Sequence, residues 1–151
     1  MKKFVLIDGN AILHRAYHAL TPLTNKEGVV VNAVYGFFSM FLKIIGDLKP
    51  EYITVCFDRA APTFRKELYV GYQAKRPKMA DDLVPQVTIL HEVLKSAKIA
   101  IFEVDGYEAD DLIGTLANQV QSSKFKVQSL ETIIVTGDRD MLQLVNSHVK
   151  V

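Results

Sequence analysis

Seven carboxylates hold the chemistry this sequence can do. Asp8 follows the apolar run FVLI, Asp58 follows ITVCF, and Asp138 follows IIVTG with Asp140 two residues on. Between them, the stretch DGYEADD crowds Glu108, Asp110 and Asp111 into four positions at the front of an apolar, helix-like run. Acids in a helix's first turn are stabilised by the helix dipole, by roughly 0.3–1 kcal/mol each. One aspartate after a strand is ordinary turn chemistry. Acids behind one strand after another call for a different account. Two carboxylates about 4 Å apart repel by about 4 kcal/mol at an effective dielectric near 20. Seven therefore converge only if they are protonated or neutralised by cations.

Hard oxygen donors suit Mg²⁺ or Mn²⁺, whereas zinc would want cysteine and histidine ligands. On a helix, Glu108 and Asp111 stand three apart and share a face, leaving Asp110 to point elsewhere, toward a second ion or a ligated water. Carboxylate sites of this kind do phosphoryl chemistry, with two ions about 3.5–4 Å apart activating a water and steadying the leaving oxygen. There is no P-loop and no GxGxxG. His14, His18, His91 and His148 are scattered and make no Ser/His/Asp arrangement.

The segment APTFRKELYVGYQAKRPK (61–78) has the opposite character. Arg65, Lys66, Lys75, Arg76 and Lys78 stand against one acid, Glu67, with Phe64, Tyr69 and Tyr72 interleaved. Cations beside aromatic rings suit phosphate contacts with base stacking on single-stranded nucleic acid. The segment leaves the sheet just beside Asp58, so it is expected to hang over the acidic site. Arg15, about two helical turns beyond Asp8, is a further candidate phosphate clamp.

The elements that must position these groups alternate. Strands are expected at 3–7, 52–57, 99–104, 131–136 and 148–151, each a short apolar run. Helices are expected at 11–20, 32–48, 81–97 and 108–121, with a short one in RDMLQLV. The 32–48 segment is apolar almost all round and reads as a buried helix. Asp81 or Asp82 is a plausible cap for the 81–97 helix, with Pro85 in its first turn. Strands alternating with helices imply an α/β fold, a three-layer, mostly parallel central sheet flanked by helices. In such sheets, sites form beyond the carboxyl ends of the strands, where the acids lie.

Composition agrees with one domain over 1–151. Nearly half of the residues are apolar and 23% are charged, an ordinary globular profile. No run is long enough to span a bilayer, and MKKFVLIDGN is too short in apolar residues for a signal-peptide core. The lone Cys56 reads as a buried small hydrophobe in a reducing, cytoplasmic setting. The net charge of +1, from 18 bases against 17 acids, hides an asymmetry. If seven acids are gathered in one site, the rest of the surface carries +8, suited to an enzyme acting on a polyanion.

Five segments occurring in order resemble one known family: FVLIDGNAILHRAYHAL, VNAVYGFFSMF, CFDRAAPTFRKELYVGYQAKRPKM, GYEADDLIGTLA and VTGDRDMLQLV. Together, along the whole chain, they are similar to the 5′-nuclease domain at the N-terminus of bacterial DNA polymerase I, in the flap endonuclease group of the PIN-like superfamily. The resemblance implies a PIN-like (resolvase-like) sheet and a structure-specific 5′-3′ exonuclease that cuts 5′ flaps and removes RNA primers with two divalent ions. It implies metal-binding roles for Asp8, Asp58, Glu108, Asp110, Asp111, Asp138 and Asp140, and places Arg65 and Arg76 near the scissile phosphate. The stretch around 62–82 matches the family's helical arch, and Tyr72 matches the arch aromatic. Two departures stand out. Gln73 follows that tyrosine where a lysine is expected, with Lys75 two positions on. The family domain also continues past residue 151, with a last pair of aspartates and a helix–turn–helix-like element. The chain is thus expected to be the N-terminal portion of the domain, with an incomplete second ion site and an unprotected fifth-strand edge.

Three alternatives compete with the nuclease reading. Gln73 and the missing continuation favour a DNA-binding fragment without catalysis. LIDGN and GDRD superficially match a haloacid-dehalogenase-type phosphatase, but that chemistry needs an acid where Asn10 stands, and an amide relays no proton. A small PIN-type ribonuclease shares the acidic cluster but lacks the arch-like stretch.

Overall fold

The computed structural model describes residues 2–69, 71, 78–122 and 130–151. Five parallel strands form one sheet in the order β3–β2–β1–β4–β5: β1 Lys2–Asp8, β2 Tyr52–Cys56, β3 Ala100–Phe102, β4 Leu130–Val135 and β5 Val149–Lys150. The expected three-layer parallel architecture is present. β1 is central, paired with β2 from Phe4–Tyr52 to Asp8–Cys56 and with β4 from Lys2–Leu130 to Ile7–Val135. The ends of β1, β2 and β4 therefore finish level with one another.

Both faces of β1 are covered, which is why it reads as an unbroken apolar run. Val5 and Ile7 join Val55, Phe57, Phe37, Leu90 and Leu94 on one face. That side is built from helices α1 (Gly9–Ala19), α2 (Asn32–Leu48) and α4 (Val84–Ser96). Leu6 turns the other way, onto Cys56, Ile113, Ala117 and Met141, supplied by helix α5 (Ala109–Gln121) and the 3₁₀ turn Arg139–Leu144. The remaining helix, α3 (Phe64–Leu68), is short and begins the basic connection. Among the described residues, no helix is long and apolar enough to cross a membrane.

Four sequence expectations are corrected. α2 is not buried all round: Ala33, Gly36, Phe37 and Phe41 face inward, while Tyr35 and Leu42 are exposed, because α2 lies in the outer layer. β3 spans three residues rather than 99–104, since it is the sheet's edge and pairs only with β2. The RDMLQLV helix is a 3₁₀ turn. Neither Asp81 nor Asp82 caps α4, whose N-cap is Leu83 with no side-chain bond, although Pro85 does lie in its first turn. Asp82 instead accepts a hydrogen bond from the Tyr17 hydroxyl at 2.8 Å.

That hydroxyl belongs to a buried polar knot joining α1, α2 and α4. Gln86 is fully buried; its Oε1 accepts from Ala33 N–H at 2.8 Å and Val34 N–H at 3.3 Å. Its Nε2 donates to Asn32 Oδ1 and Asp82 O, both at 3.1 Å. Asn32 in turn donates to the carbonyls of Tyr17 and Leu20. The amide thus satisfies two of the free N–H groups at the start of α2, which has no side-chain cap of its own.

Candidate active site

Asp8 ends β1 and caps α1. Its Oδ1 accepts from Ala11 N–H at 2.9 Å and its Oδ2 from the Thr136 hydroxyl at 2.8 Å. It is only 5% exposed. Burial raises its pKa, the two hydrogen bonds oppose that rise, and the charges of Asp58 and Asp138 add to it. The turn after Asp8 is tight because a Cβ on Gly9 would come within 2.3 Å of the Phe57 ring.

Asp58 is positioned by the chain on either side of the sheet's centre. Its N–H donates to Asn10 Oδ1 at 3.0 Å, and its Oδ1 accepts from Ala109 N–H, at the start of α5, at 2.7 Å. A helix N-terminus is a natural seat for a carboxylate. Asp138 caps the 3₁₀ turn, accepting from Asp140 N–H at 2.8 Å, and its own N–H donates to Thr136 Oγ1 at 3.0 Å. Thr136 therefore ties Asp8 to Asp138, and Asn10 ties the β1 turn to Asp58. Neither was singled out as a site residue from sequence. Their signal is positional: a short polar side chain within two residues of a strand-end aspartate.

Asp110 lies at the centre of the charge. Burial first, then the carboxylates of Asp8, Asp138, Asp58 and Glu108, push its pKa up to about 6. Asp8, Asp58, Glu108, Asp110, Asp138 and Asp140 all line one cleft of about 1110 Å³. Lys78 lies on its wall, with His14, His18 and His91. Arg15 is exposed and shares a shallow adjoining depression with Asp138 and Arg139. Lys66 is exposed on α3. Tyr72, Gln73, Lys75 and Arg76 lie outside the described residues, as does the rest of 72–77 within the arch expected at 62–82.

The 108–111 cluster divides differently from its spacing. α5 begins at Ala109, so Glu108 is its N-cap with extended backbone (φ −93°, ψ 162°). Glu108 and Asp111 form a capping box instead of sharing a helical face. Asp110 is the acid turned toward the other carboxylates, while Asp111 does not line the cleft. Asp111 meets Arg65: Oδ1 and Oδ2 each accept a guanidinium N–H at 2.7 Å, which holds its carboxyl below the usual range.

Cys56 is buried as expected, and burial pushes its thiol up to about 12. His91 packs on the Phe57 ring with centroids 4.3 Å apart and lies 3.2 Å from Glu103, a structural role.

As the side chains stand, no three acidic, histidine or cysteine groups among the described residues lie close enough together to enclose an ion. The fit to divalent cations rests on donor chemistry. After burial, the groups raising Asp110 are all carboxylates, a cluster of hard oxygens short of positive charge.

The fold and the acids define a parallel α/β domain with a carboxylate-lined cleft beyond the carboxyl ends of its strands. The model of the 5′-3′ exonuclease N-terminal resolvase-like domain matches residues 3–151, and the chain belongs to that family. It is 44% identical over 149 residues to DNA polymerase I of Caldicellulosiruptor bescii, covering 99% of this chain and 17% of that protein. It is 40% identical over 151 residues to the 5′-3′ exonuclease of Aquifex aeolicus, covering 100% of this chain and 50% of that one. The chain thus spans half, or much less, of the length of these relatives. Its fold matches a bacteriophage T5 protein co-crystallised with metal ions, at a TM-score of 0.74 and 14% identity, covering 99% of this chain and 54% of that one. It also matches a T5 flap endonuclease in a pseudo-enzyme–product complex with DNA and metal ions, with a TM-score of 0.65, 14% identity and the same coverages.

Proposed function

We propose that this chain is the N-terminal portion of a divalent-metal-dependent 5′-3′ exonuclease and flap endonuclease, hydrolysing phosphodiester bonds near 5′ ends of DNA and RNA primers in the cytoplasm. The carrying observation is the group of carboxylates, from three strand ends and the turn before α5, that share one cleft and raise Asp110 to about 6. Membership of the family and the DNA-bound T5 neighbour support the substrate class.

Asp8, Asp58, Glu108, Asp110, Asp138 and Asp140 would hold Mg²⁺ or Mn²⁺. What such ions supply when bound is Lewis-acid polarisation of the phosphoryl oxygens and a water acidic enough to attack. The chain's own residues do the rest. Thr136 and Asn10 hold the strand-end aspartates in place through bonds of 2.8–3.0 Å. Lys78 on the cleft wall, with Arg15 and Arg139 just outside it, draws in a phosphate backbone that the bare carboxylates would repel.

The test is cleavage of a 5′-labelled flap by the full chain in Mg²⁺, Mn²⁺ and EDTA, with Asp110→Asn as control and an RNA-flap arm. Short products that need the metal and vanish with Asp110→Asn are expected. Products surviving EDTA, or surviving that substitution, would sink the reading. Gln73, where the family resemblance expects lysine, favours a second reading: binding of flapped DNA without turnover, recognised by retained, salt-sensitive binding and no product in either metal.

A further inference from the structure

Asp111 is the one acid of the seven that the fold turns away from the cleft. Both its oxygens are taken by Arg65 at 2.7 Å, and Oδ2 also accepts Glu108 N–H at 3.0 Å. Such fork-to-fork pairs fix geometry as well as charge. Asp111 is absent from the carboxylates that raise Asp8 and Asp110. Arg65 also lies 3.5 Å from Glu108 Oε2.

Arg65 sits on α3, whose far end is open to solvent. Leu68 is 81% exposed and Tyr69 is 68% exposed. Three of its attachments reach one place, the turn leading into α5. Phe64 N–H donates to Gly106 O at 3.1 Å, where Gly106 takes a φ of +86° that favours glycine. The Phe64 and Tyr107 rings lie 5.8 Å apart, and the Arg65 guanidinium covers the Phe64 ring at 4.7 Å. The Arg65–Asp111 fork completes this seam, and the basic connection runs on from it.

We propose that Asp111 is a positioning residue: it acts through Arg65 to dock α3, with its exposed Lys66, against the N-terminus of α5, and it holds no ion itself. This rests on the metal-dependent nuclease reading above. The consequence is a division of labour within three consecutive acids. Asp110 serves the cations, Asp111 positions α3 and its Lys66 toward a phosphate backbone, and Glu108 lies between the two, capping α5 at the cleft's edge.

The experiment is titration calorimetry of the full chain with Mn²⁺, together with KM and kcat on a 5′-flap DNA, for wild type, Asp111→Asn, Asp111→Glu and Asp110→Asn. Asparagine keeps an acceptor for Glu108 N–H, so the helix cap survives while the ion pair is lost. Asp111→Asn is expected to leave Mn²⁺ affinity within about twofold of wild type, where loss of a group serving the ions costs about tenfold or more. It should raise KM by about tenfold, with a smaller fall in kcat, as a misplaced α3 with its substrate-binding Lys66 would. Asp111→Glu should restore much of the KM. An Asp111→Asn protein that loses Mn²⁺ affinity as Asp110→Asn does would overturn the proposal, as would an unchanged KM. Failure of the wild type itself to bind Mn²⁺ would instead bring down the nuclease reading, and this inference with it.

Discussion

Replacing Asp110 by asparagine should make the ion-free protein more stable, although it removes a residue placed at the centre of the site. Burial and four neighbouring carboxylates move the Asp110 pKa from 3.8 to about 6. At 1.36 kcal/mol per unit, holding that carboxylate ionised costs the folded state about 3 kcal/mol; partial solvent exposure trims this to about 1–3 kcal/mol. The sign follows from the proton count. Between pH 3.8 and about 6 the folded chain keeps a proton on Asp110 that the unfolded chain has released, so this group's contribution to stability falls as pH rises through that window. Above it the full penalty applies, and below it there is none. Asp8, also raised by burial, slopes the same way. Asparagine mimics the neutral acid, and among the described residues no hydrogen bond to the Asp110 carboxylate is lost. For a chain of this length about 1 kcal/mol moves Tm by about 3 °C. Thermal melts in EDTA at about pH 7.5 should therefore place Asp110→Asn roughly 3–9 °C above wild type, and the gap should shrink toward about pH 4. Added Mg²⁺ or Mn²⁺ should close or invert it, since an ion that binds only the folded wild type stabilises it. An Asp110→Asn protein no more stable than wild type in EDTA near neutral pH would refute the reasoning, for the carboxylates would then not be pressing on Asp110.

Two further outcomes are expected. Gln86→Leu fills nearly the same space but orphans Ala33 N–H, Val34 N–H and Asn32 Oδ1 in the buried knot; urea unfolding should show a loss of about 2–4 kcal/mol, and a loss below about 1 kcal/mol would mean water or a neighbour replaces the amide. Cys56, with its thiol buried and pushed up to about 12, should react with a chromogenic disulfide reagent only as fast as the protein opens; rapid labelling of the native chain, insensitive to urea, would contradict that.

Much of this molecule was legible in one dimension. A strand buried on both faces is mostly apolar, so β1, β2 and β4 announced themselves as short apolar stretches, interrupted only by Thr54 in β2 and by Glu131 and Thr132 in β4, and the acids at their ends followed by simple adjacency. The α/β alternation then placed those acids on one edge, since parallel strands all finish on the same side. Helix α5 was legible from its periodicity, and Cys56 from its apolar neighbours.

What the chain could not announce was decided by contacts between residues 46 to 128 apart in sequence. The order β3–β2–β1–β4–β5 puts Asp8 between Asp58 and Asp138, and no local pattern encodes which strands become neighbours. The division among Glu108, Asp110 and Asp111 depends on where α5 starts. The Asp58 carboxylate seats itself on Ala109 N–H, Glu108 stays extended as the cap, and a spacing of three that reads as a shared helical face becomes a capping box. Asp82 fails to cap α4 for a similar reason, because Tyr17 claims its carboxylate across the fold. Residue types and their order determined which groups could do chemistry here. Which of them face the cleft, and which merely hold it in shape, was settled only when distant segments competed for the same hydrogen bonds.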